Sequence, residues 1–394
     1  MTTPTRDRIY LDHAATTPLD PAVRRAMVEV LDGPFGNPSS VHASGRLARA
    51  ALDRARRQVA DALGAQPHEI VFTSGGTEAS NLAIAGLARR SGRRHTAVSA
   101  IEHHAVLRAA WTLRDRGLPV SEVPVDAHGR VTPDMLAEHL RPDTALVSIA
   151  LANNEIGTVQ DIAALARTAR AAGALFHTDA VQAVGQLDIN VDRLGVDLLS
   201  LSGHKIYGPK GIGALYVRDG VKLEPLVWGG AQEMGRRAGT ENIPAAVGLA
   251  HAVTAACASW RATNARLAEL SGELIDAVLR KVPHAQVTGH PTARLPSIAS
   301  FVFADVDAEP LLINLDLDGI DASSGAACEA GSLEPSHVIE ALGLPPAYRR
   351  GPLRLSLGRD TTRAHVLQAA NVIARHANRL HAAPQPAAAR LGAR

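Results

Sequence analysis

Lys205 closes the stretch SLSGHK, directly after an apolar run at residues 198–201 and before a turn marked by Gly208, Pro209, Gly211 and Gly213. A second apolar run, residues 212–217, follows, so the pattern predicts a hairpin of two buried strands with one lysine amine at its tip. Such an amine has three readings. It is a solvated turn lysine, the favoured one when the hairpin is taken alone; a phosphate-loop lysine; or a Schiff-base lysine, desolvated enough to be neutral part of the time and to condense with an aldehyde. The phosphate-loop reading of residues 203–210 fails on spacing. Pro209 breaks the required Gly-Lys contiguity, and Gly211 stands where Ser or Thr must hold magnesium.

Other polar clusters have the same placement, each just after an apolar run. Gly75 and Gly76, followed by Thr77 and Glu78, come after a strand predicted at residues 70–72 and before a helical pattern at 79–88. A strand, a glycine pair, a hydroxyl and a helix offer free backbone N–H groups and a positive dipole end to an anion, although a plain capped turn is the commoner explanation of any single case. Glu102, His103 and His104 follow a second run, Asn153, Asn154 and Glu155 a third, and residues 179–182 a fourth. Convergence of these clusters with a glycine-rich anion loop is hard to explain as chance. The two cysteines differ. Cys257 lies in the alanine-rich helical run AVTAACASW and reads as a small buried residue, whereas Cys328 lies among Gly, Ala and Ser at residues 323–332, either an inconsequential loop thiol or a nucleophile on a movable arm.

The elements that must position these residues alternate. Strands are predicted near residues 9–11, 70–72, 96–99, 120–123, 145–150, 175–178 and 197–201, with helices at 41–63, from 104, and at 161–172. This alternation argues for a mostly parallel sheet with helices on both faces and functional clusters at the carboxyl ends of its strands. Residues 228–242 read as a loop too polar and glycine-rich for a core. A long helix from 243 to about 280, broken once at most, connects to a smaller α+β region with a strand at 299–303, a helix at 308–317 and a strand near 320–322. Residues from 383 on read as a frayed tail.

Composition narrows the function classes. The 394 residues are 46% hydrophobic with a formal net charge of +2, enough for a large core and too balanced to suggest a nucleic-acid or acidic-membrane surface. No apolar segment is expected to reach membrane-spanning length, and the first residues lack the basic-then-apolar order of a signal peptide, which points to the cytoplasm. Two cysteines are too few for a disulfide framework or a cysteine-based metal site, and no metal is expected.

The motifs YLDHAATTP, TSGGTEASNLAI, EHHAVL, NNEIGTVQ, HTDAVQAVG, SLSGHKIYGPKGIGALYV, RRAGTEN, SSGAACEAGSLEPSHV and LRLSLGR run in order from about residue 9 to about residue 359. Together they resemble the cysteine desulfurases, pyridoxal 5'-phosphate enzymes of the aminotransferase class V, fold type I group, in the long-loop subgroup of nitrogenase-associated and iron–sulfur-cluster enzymes. The resemblance implies an α/β fold whose large cofactor-binding domain, residues 14–260, holds a mostly parallel seven-stranded sheet. A small α+β domain, residues 1–13 and 261–382, would carry the cysteine loop, with 383–394 as a tail. It implies that Lys205 binds the cofactor covalently, that Asp179 faces the pyridine nitrogen, and that Gln182 meets the ring hydroxyl. His103 would stack on the ring and move protons, since imidazole titrates near working pH. Gly76, Thr77, Ser202 and His204 match the phosphate contacts, and Thr240 matches a residue given to the neighbouring subunit of a homodimer. Asn154 and Arg354 match the substrate-binding pair for L-cysteine, and Cys328 matches the nucleophile that takes the sulfur and passes it to an acceptor protein.

A few residues depart from the family pattern. Ala326 stands where Ser is usual and Glu329 where Thr is common; an acid beside a thiol disfavours the thiolate. Ala231 and Met234 interrupt a loop that usually holds Gly and Arg. A selenocysteine lyase, another class V enzyme, or a silent scaffold would share much of the set. The first two have no need of Cys328 on a long arm, and the scaffold has no need of Lys205, Asp179, His103, Cys328 and Arg354 together.

Overall fold

The computed structural model describes residues 8–33, 35–325 and 336–383. Among these the strands are, in chain order, β1 (Ile9–Tyr10), β2 (Ile70–Thr73), β3 (His95–Ser99), β4 (Val120–Val123), β5 (Thr144–Ser148) and β6 (Leu175–Asp179). They continue with β7 (Leu198–Ser202), β8 (Gly213–Val217), β9 (Ala285–Val287), β10 (Ile298–Phe303), β11 (Ile320–Asp321) and β12 (Pro352–Ser356). β2 to β8 form one sheet in the order β2-β8-β7-β6-β5-β3-β4. β8 runs antiparallel to β2 and β7, and every other pair in the sheet is parallel. The mostly parallel seven-stranded sheet expected from the sequence is therefore present, and its two faces can be read off the alternation of side chains. Ile70, Phe72, Leu199, Leu201, Ala214 and Tyr216 join one core, while Val71, Leu198, Leu215 and Val217 join the core on the opposite face.

Three central strands are linked by a buried polar chain. His177 of β6 bonds Ser148 Oγ of β5 through Nδ1 at 2.8 Å and Ser200 Oγ of β7 through Nε2 at 2.9 Å. Burial pushes this imidazole down to about 3, so it is a neutral link between three strands. A further core gathers Phe301, Phe303, Leu353 and Leu355 against the helices Ala308–Leu317 and Arg363–Ala382. In it β12, β10 and β9 form an antiparallel sheet, and β1 pairs in parallel with β11.

The connecting helix Ile243–Lys281 is one unbroken rod capped by Asn242, whose side chain accepts the Ala245 N–H. Its first half puts Leu249 and Val253 into the sheet core and its second half puts Leu267 and Leu274 into the other. By length and apolar composition it could span a bilayer, so the expectation that no segment reaches that length is corrected; here its apolar residues serve two cores. The loop before it also departs from expectation. Glu233 is buried and makes a bidentate pair with Arg56 at 2.6 and 2.7 Å while accepting the Phe72 N–H at 2.9 Å. Cys257 is half-buried, not fully so. β12 and the Arg363–Ala382 helix had no counterpart in the sequence-based elements.

Candidate active site

The carboxyl ends of β2, β3, β5, β6 and β7 open on a cavity of about 280 Å³. The β7–β8 hairpin forms as expected, and Lys205 ends a single 3₁₀ turn, Gly203–Lys205, at its tip. Lys205 Nζ donates to the carbonyls of Ala14 at 2.6 Å and Ala15 at 2.8 Å. These carbonyls belong to the N-terminal turn, which is clamped on two sides. Ala14 N–H donates to Ser356 Oγ at 2.8 Å, and Thr17 N–H donates to the His204 carbonyl at 2.9 Å. Gln182 Nε2 donates to the Ala14 carbonyl at 2.9 Å, so the same turn holds both side chains.

The glycine loop is held against β8. At Gly213 a Cβ would lie 2.7 Å from the Gly75 carbonyl carbon and 2.5 Å from the Leu201 oxygen, so only glycine allows this approach. Glu78 fixes the loop from the other side, accepting the Ser74 N–H at 2.7 Å and Arg237 Nε–H at 3.0 Å. The helix Gly76–Arg90 then starts with its first-turn N–H groups lacking intrahelical acceptors, and Gly76, Thr77, Ser202 and His204 line the cavity there.

Asp179 ends β6 and is buried. Burial pushes its carboxyl up to about 6, against the Val181 N–H bond and the charge of Lys205, which favour the ionised form. Below it Glu102 is fully enclosed: Oε1 accepts the Ala150 N–H at 2.7 Å, and Oε2 has no partner among the described residues. Enclosure, with Asp179 nearby, holds Glu102 well above the usual carboxylate range.

His103 caps the helix His104–Asp115, its Nδ1 accepting the Ala105 N–H at 3.0 Å. That bond places the proton of the neutral ring on Nε2. Burial, then Lys205, push the ring down to about 4, so it is neutral near neutrality; the expectation of titration near working pH is corrected. On the far wall Arg354 is 2% exposed. Its Nη1 donates to the carbonyls of Asn154 at 2.9 Å and Gly325 at 3.3 Å, and Nη2 donates to Asp12 at 2.7 Å. Nε–H has no acceptor among the described residues. The guanidinium is thus held from three sides, by Asn154, Gly325 and Asp12, at the cavity wall.

The cavity thus gathers Gly76, Thr77, His103, Asn154, Asp179, Gln182, Ser202, His204, Lys205 and Arg354. Thr240 is exposed and does not line it, and Cys328 lies outside the described residues. Asp12, Glu155 and His337 were quoted only inside motifs or clusters, with no role attached. His337 lines the cavity, its ring 4.7 Å from that of His104.

The sequence profile of the aminotransferase class V family matches residues 9–368. Among solved structures the chain resembles a NifS-like protein with a TM-score of 0.87 at 34% identity, over 93% of this chain and 98% of that one. It resembles DndA from Streptomyces lividans with a TM-score of 0.74 at 38% identity, over 88% of this chain and 99% of that one. The fold and family are those of the fold type I, pyridoxal-phosphate-dependent enzymes. A cysteine desulfurase IscS of Methanosarcina thermophila is 48% identical over 367 residues, 93% of this chain and 91% of that protein. The chain belongs to the aminotransferase class V family, among its cysteine desulfurases.

Proposed function

We propose that the protein binds pyridoxal 5'-phosphate in this cavity and removes sulfur from L-cysteine, giving L-alanine and a persulfide on Cys328. The observation that carries the reading is the meeting of Lys205, Asp179 and the Gly76–Thr77 helix start in one cavity. The donor set suits the cofactor: first-turn N–H groups with Ser202 and His204 for a phosphate, a buried acid for a ring nitrogen, and an amine for an aldehyde. When bound, the cofactor supplies that aldehyde and a ring that draws electrons from the adjoining carbon.

The chain's own residues divide the remaining work. Lys205 would hold the cofactor covalently, and its Nζ would serve as the base for the substrate Cα proton. His103, with Nδ1 capped by a backbone N–H and its proton on Nε2, suits stacking and hydrogen-bond donation better than proton abstraction. Asp179 would face the ring nitrogen; the nitrogen's positive charge would draw the carboxyl back to its ionised form. Gln182 would meet the ring hydroxyl. Asn154 and Arg354, both on the cavity wall, would receive the cysteine carboxylate. Cys328 as thiolate would attack the substrate sulfur: a sulfur–sulfur bond forms, the carbon–sulfur bond breaks with its electron pair left on Cβ, and Cβ takes up the proton that the substrate thiol gives up, so that alanine leaves and Cys328 keeps the sulfur as a persulfide.

The persulfide would pass to an acceptor protein serving iron–sulfur assembly, tRNA thiolation or DNA phosphorothioation, in the cytoplasm. A homodimer to which each subunit lends Thr240 fits the exposure of Phe35 and Val41, both 89%, and of Trp228, 67%. The purified protein is expected to be yellow and to release sulfide from L-cysteine with a reductant present. Lys205→Ala should abolish the sulfide; a Lys205→Ala enzyme at the wild-type rate would overturn the reading. Parallel assays with selenocysteine separate the lyase alternative.

A further inference from the structure

Behind the turn that ends in Lys205 lies a second cavity, of about 120 Å³, whose walls include Ile206, Tyr207, Ala256, Leu357 and Arg359. Lys205 lines this cavity as well as the first. A void thus stands where close packing would otherwise fix the turn, and its place depends on directional bonds.

Tyr207, two residues beyond Lys205, supplies most of them. Its φ of +62° is a left-handed conformation that a residue with a side chain holds only where its surroundings fix it. Its N–H donates to Thr17 Oγ1 at 2.7 Å, and its carbonyl accepts the Asp20 N–H at 2.9 Å. Its hydroxyl accepts the Arg359 N–H at 2.8 Å, and the Arg359 guanidinium lies over its ring, 4.1 Å from the centroid. Arg359 Nη1 also donates to Asp20, whose other carboxylate oxygen caps the helix Pro21–Leu31 through the Ala22 N–H at 2.6 Å. Backbone and side chain of one arginine therefore both bear on Tyr207.

Arg359 is the last residue of the motif LRLSLGR and is itself anchored to the strand that carries Arg354. It lies three residues beyond the end of β12. Arg266 Nη2 donates to its carbonyl at 2.6 Å, and Nη1 donates to the Thr361 carbonyl at 2.7 Å. Gly358 N–H donates to Thr361 Oγ1 at 2.9 Å, and His13 bonds the Ser356 carbonyl through Nδ1 at 3.1 Å. The path from Arg354 to Arg359 is short and held at several points.

We propose that Arg359 is a positioning residue which, acting through Tyr207, fixes the Lys205 turn against the strand of Arg354. The inference rests on the reading of Lys205 as the base for the Cα proton and of Arg354 as the receptor of the carboxylate. An amino acid held between them presents its Cα to Nζ only at one separation of the two elements. Neither Arg359 nor Tyr207 lines the first cavity, so their loss should slow the proton step and leave amino-acid binding as it is.

The test follows, by NMR, the exchange of the Cα hydrogen of L-alanine with heavy water, a step that needs Lys205 and not Cys328. Full-length wild-type holoenzyme is compared with Arg359→Ala, Tyr207→Leu and the double variant. Each single variant is expected to exchange roughly 10- to 100-fold more slowly, the effect of displacing a reacting group by about an ångström, with the half-saturating alanine concentration unchanged. The double variant should be no slower than the slower single one, because both residues act through one contact. Tyr207→Phe keeps the ring beneath the guanidinium and should regain part of the rate lost in Tyr207→Leu. In hydrogen–deuterium exchange of the same proteins, residues 203–210 should lose protection in Arg359→Ala while residues 352–356 keep it. Should one single variant fail to fold, the other decides. A wild-type rate in either folded variant overturns the proposal, and so does a loss in the double variant equal to the product of the single losses. A change confined to the half-saturating concentration would assign Arg359 to substrate binding and overturns it too. A wild-type holoenzyme that exchanges no Cα hydrogen contradicts the underlying reading of Lys205 instead, and the protection of residues 203–210 then still decides whether Arg359 holds the turn.

Discussion

At Asp179 burial and charge oppose each other, and burial prevails: the carboxyl titrates near 6 in place of 3.8. A carboxyl raised in the folded state adds stability that is full below its unfolded value and is lost as pH rises through the folded one. For the cofactor-free protein that window runs from about 4 to about 6, and the shift corresponds to about 3 kcal/mol. Asp179→Asn removes the penalty. We expect the cofactor-free variant to melt roughly 3 °C or more above wild type at pH 8 and equally at pH 4, by calorimetry; with cofactor bound the order should reverse, because an amide cannot hold a ring nitrogen protonated. A higher melting point for the wild type at pH 8 without cofactor would show that Asp179 is already ionised and well compensated. These residues were legible because each follows an apolar run at a strand end. The proton position on His103 was not, since it depends on a backbone N–H that only the folded helix cap presents.

Among elements, the β7–β8 hairpin could be read locally because two apolar runs flank a turn rich in Gly and Pro. The loop before the long helix could not. Glu233 is a core residue through Arg56, 177 positions earlier, and through the N–H of Phe72, partners that no window of sequence brings together. β12 was not read as a strand for a related reason: a charged Arg354 within it is at odds with a buried strand until Asp12, Asn154 and Gly325 enclose its charge. Glu233 also supports the strand that leads into the glycine loop, so Glu233→Ala should cost about 3–5 kcal/mol by leaving Arg56 buried and unpaired. A urea midpoint unchanged from wild type would show that water reaches the guanidinium. Cofactor retention should fall in the same variant, checked by the absorbance left after dialysis.

Across the whole molecule, one rod, Ile243–Lys281, shares its buried residues between two cores, and the cavity lies between the sheet that supplies Lys205 and the strand that supplies Arg354. We propose the division of the chain near residue 260 on this basis, with the N-terminal turn returning to the cavity. The fold class was legible from alternation alone; on the cavity's far wall the family motifs pointed to Asn154 and Arg354, but the part of Asp12, which pairs with Arg354 across 342 positions, was not legible. The account's central claim is that a cofactor held at Lys205 loosens sulfur which Cys328 then collects. Its most direct test mixes stoichiometric L-cysteine with the purified holoenzyme and quantifies alanine together with sulfur on the Cys328 peptide. Equal amounts of both are predicted in the wild type, and neither product above background in Cys328→Ala, whose cofactor spectrum should be unaltered. Alanine formed by Cys328→Ala at the wild-type rate would contradict it.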